Sequence, residues 1–240
     1  MGFHIDQSEK GFSIEQAKFY AIEILLAIRC LHDNNILYGD LKPANILLDR
    51  NGHIKICDFN SSIILKKKEE LINTRGGTFG YSAPEVLDGL YYGMYADWYS
   101  FGCILYTMLF KSVPYINNDG KLIIQNDYEY ASKEDYQVAI DLLEKLLNEN
   151  IEKRLIEYKD IINHKFFKGI KFEDYAQKKI NPPLKLSFKD DLDLTYFGIV
   201  ENKLEEGLKE EKEEKNFDGM KEKKDLSKQF PKFAYSSDSI

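Results

Sequence analysis

The segment Tyr38-Gly-Asp-Leu-Lys-Pro-Ala-Asn45-Ile-Leu-Leu-Asp49-Arg-Asn-Gly52-His-Ile-Lys-Ile-Cys-Asp58-Phe-Asn60 decides how this chain folds. In its second half Ile46 and Leu48 alternate with Leu47 and Asp49, and Ile54 and Ile56 alternate with Lys55 and Cys57, the period of two short strands. Asn51-Gly52 between them predicts a two-residue type I′ turn, because both positions of that turn need φ > 0. Pairing outward from such a turn sets Asn45 opposite Asp58 at the open end of the hairpin. An amide oxygen and a carboxylate brought together there are hard oxygen donors suited to Mg²⁺. On spacing alone a solvated hairpin end accounts for them equally well, since Asn and Asp are common beyond strand ends.

Outside this hairpin the patterns are helical. Ser13 with Gln16 three residues on is a capping box, and Phe19, Ile22, Leu25, Leu26 and Ile28 follow on almost every face, which predicts a buried helix. Ala96–Phe110 is apolar nearly all round and predicts a second one. Ser132 with Asp135 marks a further helix start, followed by Val138, Ile140, Leu142, Leu143, Leu146 and Leu147. A mostly helical α+β domain with one small hairpin is expected.

With 240 residues, 43% apolar and 30% charged, the chain is long enough for one core plus an appendage. Its net charge of −7 argues against broad attraction to nucleic acid or anionic lipid. Cys30, Cys57 and Cys103 form neither a disulfide framework nor a metal-ligand pattern, and a reducing, cytoplasmic setting is expected. The longest apolar stretches, Ala21–Ile28 and Phe101–Phe110, are too short to span a bilayer, and Met1 does not open a signal peptide. Dense apolar recurrence stops near Phe167. Lys168–Tyr196 is irregular and carries Pro182-Pro183, Glu201–Lys228 is mostly Glu and Lys, and the chain closes on an aromatic patch, Phe230, Phe233 and Tyr235.

The hairpin and its flanks carry a family resemblance. Tyr38–Asn45, Asp58-Phe-Asn60 and Ala83-Pro-Glu85 resemble the catalytic loop, Asp-Phe-Gly and Ala-Pro-Glu motifs of protein kinases, in the family's order and with Asp97-Trp98, Gly102 and Arg154 following. Leu41-Lys42-Pro43 looks like the serine/threonine type. Tyr38 and Gly77-Thr-Phe-Gly-Tyr81 resemble the AGC group, and Asp40–Asp49 looks nearest to the G-protein-coupled-receptor kinases. The resemblance implies a kinase C lobe over residues 1–167 and an AGC-type C-terminal extension over 168–240, with the linker 201–228 and the aromatic motif 230–235. It implies ATP and Mg²⁺ as cofactors and a protein hydroxyl as acceptor. Asp40 would orient that hydroxyl and take its proton, and Lys42 would hold the γ-phosphate. Asn45 and Asp58 would hold the metal, and Leu47 would contact the nucleotide. Thr78 would bond toward Asp40 and Lys42, although a threonine at a turn needs no functional reason. Glu85 and Arg154 would form a buried ion pair, and Asp97 would receive the catalytic-loop backbone. His32, His53 and His164 have no metal spacing and read as surface or core histidines.

Departures from the family pattern matter as much. The sequence shows no Gly-rich phosphate loop and no Lys–Glu pair of an N lobe, and Met1-Gly2 falls where the helix after the interlobe hinge is expected. Gly39 replaces the Arg that in many kinases receives a phosphorylated activation segment, Ile63 replaces a second cation, and Thr74 holds the usual phosphoacceptor position. Asn60 replaces a Gly, and Asn is the non-glycine residue that best tolerates φ > 0. Ala44 and Thr107 align with carboxylates that relatives use to select Arg two residues before the phosphoacceptor. Two readings result. One is a serine/threonine kinase lobe that needs an N lobe, in cis or from an unknown protein partner. The other is a non-catalytic, pseudokinase-like interaction module.

Overall fold

The computed structural model describes residues 1–117, 122–123, 133–188 and 196. The linker 201–228, the aromatic motif 230–235 and Ser132 lie outside the described residues. In chain order come α1 (Gly2–Gln7), α2 (Ile14–Asp33), β1 (Ile36–Leu37), a 3₁₀ turn (Pro43–Asn45), β2 (Ile46–Leu48), β3 (Ile54–Ile56), β4 (Ile63–Ile64), α3 (Pro84–Leu87) and α4 (Ala96–Phe110). Then follow β5 (Tyr115–Ile116), β6 (Leu122–Ile123), α5 (Glu134–Leu146), α6 (Tyr158–Ile162), a 3₁₀ turn (Lys165–Phe167) and α7 (Phe172–Ala176).

α4 is the axis of the core. All fifteen of its residues are buried, as an all-round apolar pattern requires, and α2 and α5 pack against it. Gly102 permits the close crossing with α5: a Cβ there would stand 3.0 Å from Leu146 Cβ and Leu147 Cδ2. α2 begins on the capping box, with Ser13 Oγ accepting from Gln16 N and Gln16 Oε1 accepting from Ser13 N. Tyr20, Ile22, Leu25 and Ile28 line its buried side. α5 starts after Lys133, with Glu134 and Asp135 in the first turn, where carboxylates favour the free N–H groups.

The strands make three two-stranded antiparallel sheets among the described residues, β1–β4, β2–β3 and β5–β6. Two of these were not expected from the alternation, because a ladder of two residues leaves no period to read. The β2–β3 hairpin forms where expected, but in another register: Ile46 faces Ile56 and Leu48 faces Ile54, and Cys57 N donates to Asn45 O. Asn45 therefore lies opposite Cys57, one residue short of Asp58. The cause is Asp49, whose carboxylate accepts from Asn51 N at 2.9 Å and His53 N at 3.0 Å. That cap extends the turn to three residues, Arg50, Asn51 and Gly52, with Gly52 alone at φ 89°. A chain segment read as irregular is ordered against this turn: α7 packs on α2 through Tyr175 and Phe19, and a Cβ at Gly52 would stand 2.8 Å from Leu184 O.

Candidate active site

The 3₁₀ turn Pro43–Asn45 folds the loop between β1 and β2 back on itself, which brings Asp40, Lys42 and Asn45 together although a strand would point neighbours apart. Lys42 Nζ donates to Asp40 Oδ2 at 2.8 Å and to Thr78 Oγ1 at 2.8 Å. Thr78 Oγ1 in turn donates to Asp40 Oδ1 at 2.6 Å. Asn45 Nδ2 closes the ring, reaching Asp40 O at 2.9 Å and Asp40 Oδ2 at 3.2 Å. A carboxylate receiving two donors on one oxygen and one on the other has a fixed orientation, and such positioning is what proton transfer from a bound hydroxyl requires.

The loop is held from below by Asp97. Its Oδ2 accepts from Tyr38 N and its Oδ1 from Gly39 N, both at 2.9 Å, and His32 Nε2 lies 2.8 Å from Oδ2. Asp97 is buried in the first turn of α4, so three donors replace the water it gives up. Tyr38 adds a bond from its hydroxyl to Cys57 O and an edge-on contact with Phe59, ring centroids 5.4 Å apart. Burial raises the Tyr38 phenol well above its ordinary value.

Asp58 stands exposed beyond β3, with φ 60° and Oδ1 accepting from Asn60 N at 3.4 Å. The positive φ falls on Asp58 and not on Asn60, where the turn was expected to need it. Leu47 faces outward from the hairpin, 39% exposed. Glu85 and Arg154 form a bidentate pair away from this ring, at 2.6 and 2.9 Å, with Arg154 Nε also donating to Asn148 O at 2.7 Å. Both are buried.

Three relationships had no sequence signal. His32 supports Asp97, Glu23 meets His53, and Thr74 bonds Tyr92; each joins residues far apart in the chain. Among the described residues no three His, Cys, Asp or Glu side chains gather into a metal cage. An amide oxygen of Asn45 and a carboxylate of Asp58 are hard donors of the kind that would fit Mg²⁺ completed by phosphate oxygens and water. Asn45 spends its amide N–H₂ on Asp40, which leaves its oxygen for a cation.

The protein kinase domain model matches residues 2–167. The chain belongs to the protein kinase family. This kinase is 40% identical over 201 residues to the serine/threonine-protein kinase Gad8 of Schizosaccharomyces pombe, an alignment covering 81% of this chain and 35% of that one. It is 37% identical over 205 residues to the serine/threonine-protein kinase Sgk2 of Mus musculus, covering 81% and 54%. It is also 37% identical over 198 residues to mouse protein kinase C delta type, covering 81% and 29%. These relatives are protein kinases of the AGC type, and the chain spans between 29% and 54% of their length. The mixture of long helices and small sheets is that of a kinase C lobe. Among the described residues no helix is long and apolar enough to cross a membrane.

Proposed function

We propose that this chain carries the catalytic lobe of a MgATP-dependent serine/threonine kinase of the AGC type, acting on hydroxyls of a protein substrate. The observation that carries this reading is the Asp40 carboxylate held at once by Lys42, Thr78 and Asn45. Asp40 would orient the acceptor hydroxyl and take its proton as the new O–P bond forms and the β–γ bridge breaks. Lys42 would place its ammonium against the γ-phosphate, and Thr78 would keep Asp40 and Lys42 in register. Asn45 and Asp58 would hold Mg²⁺, which when bound neutralises phosphate charge. Leu47, exposed on the hairpin, would offer an apolar contact to the nucleotide.

The Gly-rich loop and the Lys–Glu pair of a kinase N lobe have no counterpart in the 240 residues. We infer that turnover requires such a lobe, in the same polypeptide or as a separate chain, and that residues 168–240 act as a C-terminal extension. The Asp40–Asp49 segment supports a place near the G-protein-coupled-receptor kinases, and unpaired cysteines support a cytoplasmic setting. The test is phosphate transfer from ATP to a peptide library, with residues 1–240 alone and with an N lobe supplied. Negligible turnover alone, restored with the lobe and lost in Asp40→Ala, is expected. Nucleotide binding without turnover in the completed protein would replace this reading with that of a non-catalytic module.

A further inference from the structure

The segment between Asp58 and Ala83 reaches the catalytic ring through Thr78, so whatever fixes this segment fixes part of the site. Its middle is bound to one residue. Ile72 N donates to Tyr92 O at 2.8 Å, Tyr92 N donates to Ile72 O at 2.9 Å, and the Tyr92 hydroxyl shares a 2.9 Å hydrogen bond with Thr74 Oγ1. The Tyr92 residue is 4% exposed, so its ring is a fixed post rather than a surface side chain. Next in the chain, Gly93 lets Leu71 close in: a Cβ there would stand 3.2 Å from Leu71 Cδ2.

By the family resemblance, Gly39 replaces the Arg that in many kinases receives a phosphate on the residue aligned with Thr74, and the surroundings of Gly39 admit nothing larger. Gly39 has φ 82°, and a Cβ would stand 2.9 Å from Ser61 O and 3.2 Å from Leu37 Cδ2. The cavity beside it, lined by Gly39, Tyr92, Ala96, Asp97 and Ser100 among others, measures about 10 Å³, the room of one water and not of a guanidinium. The backbone at Gly39 therefore leaves no room for an arginine side chain.

We propose that Tyr92 is a positioning residue that docks this segment in its unphosphorylated state, with the Thr74 hydroxyl as its partner, so that phosphate on Thr74 is not needed to set the site. The regulatory meaning rests on the kinase reading; the docking does not. The test is hydrogen exchange on the 240-residue chain, comparing Tyr92→Phe, Thr74→Ala and the double variant. Each single change removes one hydroxyl hydrogen bond and keeps the fold. Exchange at the Ile72 and Tyr92 amides should rise about threefold to tenfold in each single variant, and no further in the double. Unchanged exchange, or effects that multiply in the double, would overturn the anchor. In the kinase completed with an N lobe, stoichiometric phosphorylation of Thr74 should change turnover less than about twofold, and a rise of about tenfold or more would overturn phosphate independence. A completed protein without turnover would sink the kinase reading, while the exchange results would still decide the anchor.

Discussion

The Glu23 carboxylate and the His53 imidazole meet 2.5 Å apart between α2 and the hairpin, and the other Glu23 oxygen accepts from Ile54 N at 2.9 Å. Both side chains are buried, so one carboxylate on α2 sets the height of the strand pair whose open end carries Asn45 and leads into Asp58. Tyr20, one turn earlier, adds a bond from its hydroxyl to Gly52 O at 3.3 Å.

Glu23→Ala leaves a buried ring nitrogen and a part-buried backbone N–H without an acceptor. A loss of about 2–4 kcal/mol in unfolding free energy is expected from urea titration. Glu23→Gln keeps an acceptor for Ile54 and should lose less than half as much. Equal losses in the two variants would mean that the Ile54 bond contributes nothing.

Arg154 and Glu85 should show the larger effect. Each variant to Ala strands a buried charge, at a cost of about 3–5 kcal/mol, a large part of the stability of a domain of this size. Arg154 also holds the carbonyls of Asn148 and Glu149 and lies over the Tyr99 ring, so Arg154→Ala should be the more damaging. Calorimetry of both variants and of the double would check this, the double being less unstable than the sum of the singles.

Within the completed kinase, Asp58→Ala should abolish Mg²⁺-dependent turnover, because an oxygen ligand of the ion is lost. Thr74→Ala, which removes one of the three bonds to Tyr92, should lower turnover by no more than about fivefold. Steady-state rates over a Mg²⁺ series separate the two. A Thr74→Ala enzyme as inactive as Asp58→Ala would contradict the assignment.

Acid should loosen the segment after β4. Lys68 first, then Arg29, holds the Asp33 carboxyl below the ordinary carboxylate range, and Lys68 reaches Asp33 across 2.9 Å from that segment. A depressed carboxylate stabilises above its unfolded value and loses that contribution as pH falls through the folded one. Protection of the amides near Lys68 should therefore fall below about pH 4, and Asp33→Asn should show the lower protection already at neutral pH. Equal protection in Asp33→Asn and the parent chain at pH 7 would dismiss this tie.

What could be read in advance was what a local period or cap encodes. The Ser13 capping box starts α2, and the all-apolar run defines Ala96–Phe110 as a buried helix with the observed bounds. The motif residues were singled out by the family resemblance and not by any local period, and the ring that joins Thr78 to Asp40 depends on a chain path of 38 residues that no local pattern fixes. The hairpin register failed because Asn51-Gly52 was weighed without Asp49, whose carboxylate competes for the turn N–H groups and lengthens the loop. The buried partners Glu23 and His53 gave no local signal, His53 reading as an ordinary histidine, since each makes sense only beside the other.

Substrate choice follows from two absences. By the family resemblance, relatives that select Arg two residues before the phosphoacceptor use carboxylates at the positions of Ala44 and Thr107. Ala44 is exposed and has no polar atom beyond its backbone. Thr107 is buried in α4, and its hydroxyl donates back to Cys103 O at 2.8 Å, so it is already committed to its own helix. Neither can pair with a guanidinium, and a cation placed there would lose hydration without compensation. A positional peptide library read with the completed kinase should show no enrichment of Arg at that position. Introducing Ala44→Glu at this exposed site should create a preference of about twofold to fivefold, the worth of one solvent-screened ion pair with good geometry. Strong Arg selection by the parent enzyme would mean that another carboxylate lines the peptide path. No gain in Ala44→Glu would mean that the peptide does not pass over this turn.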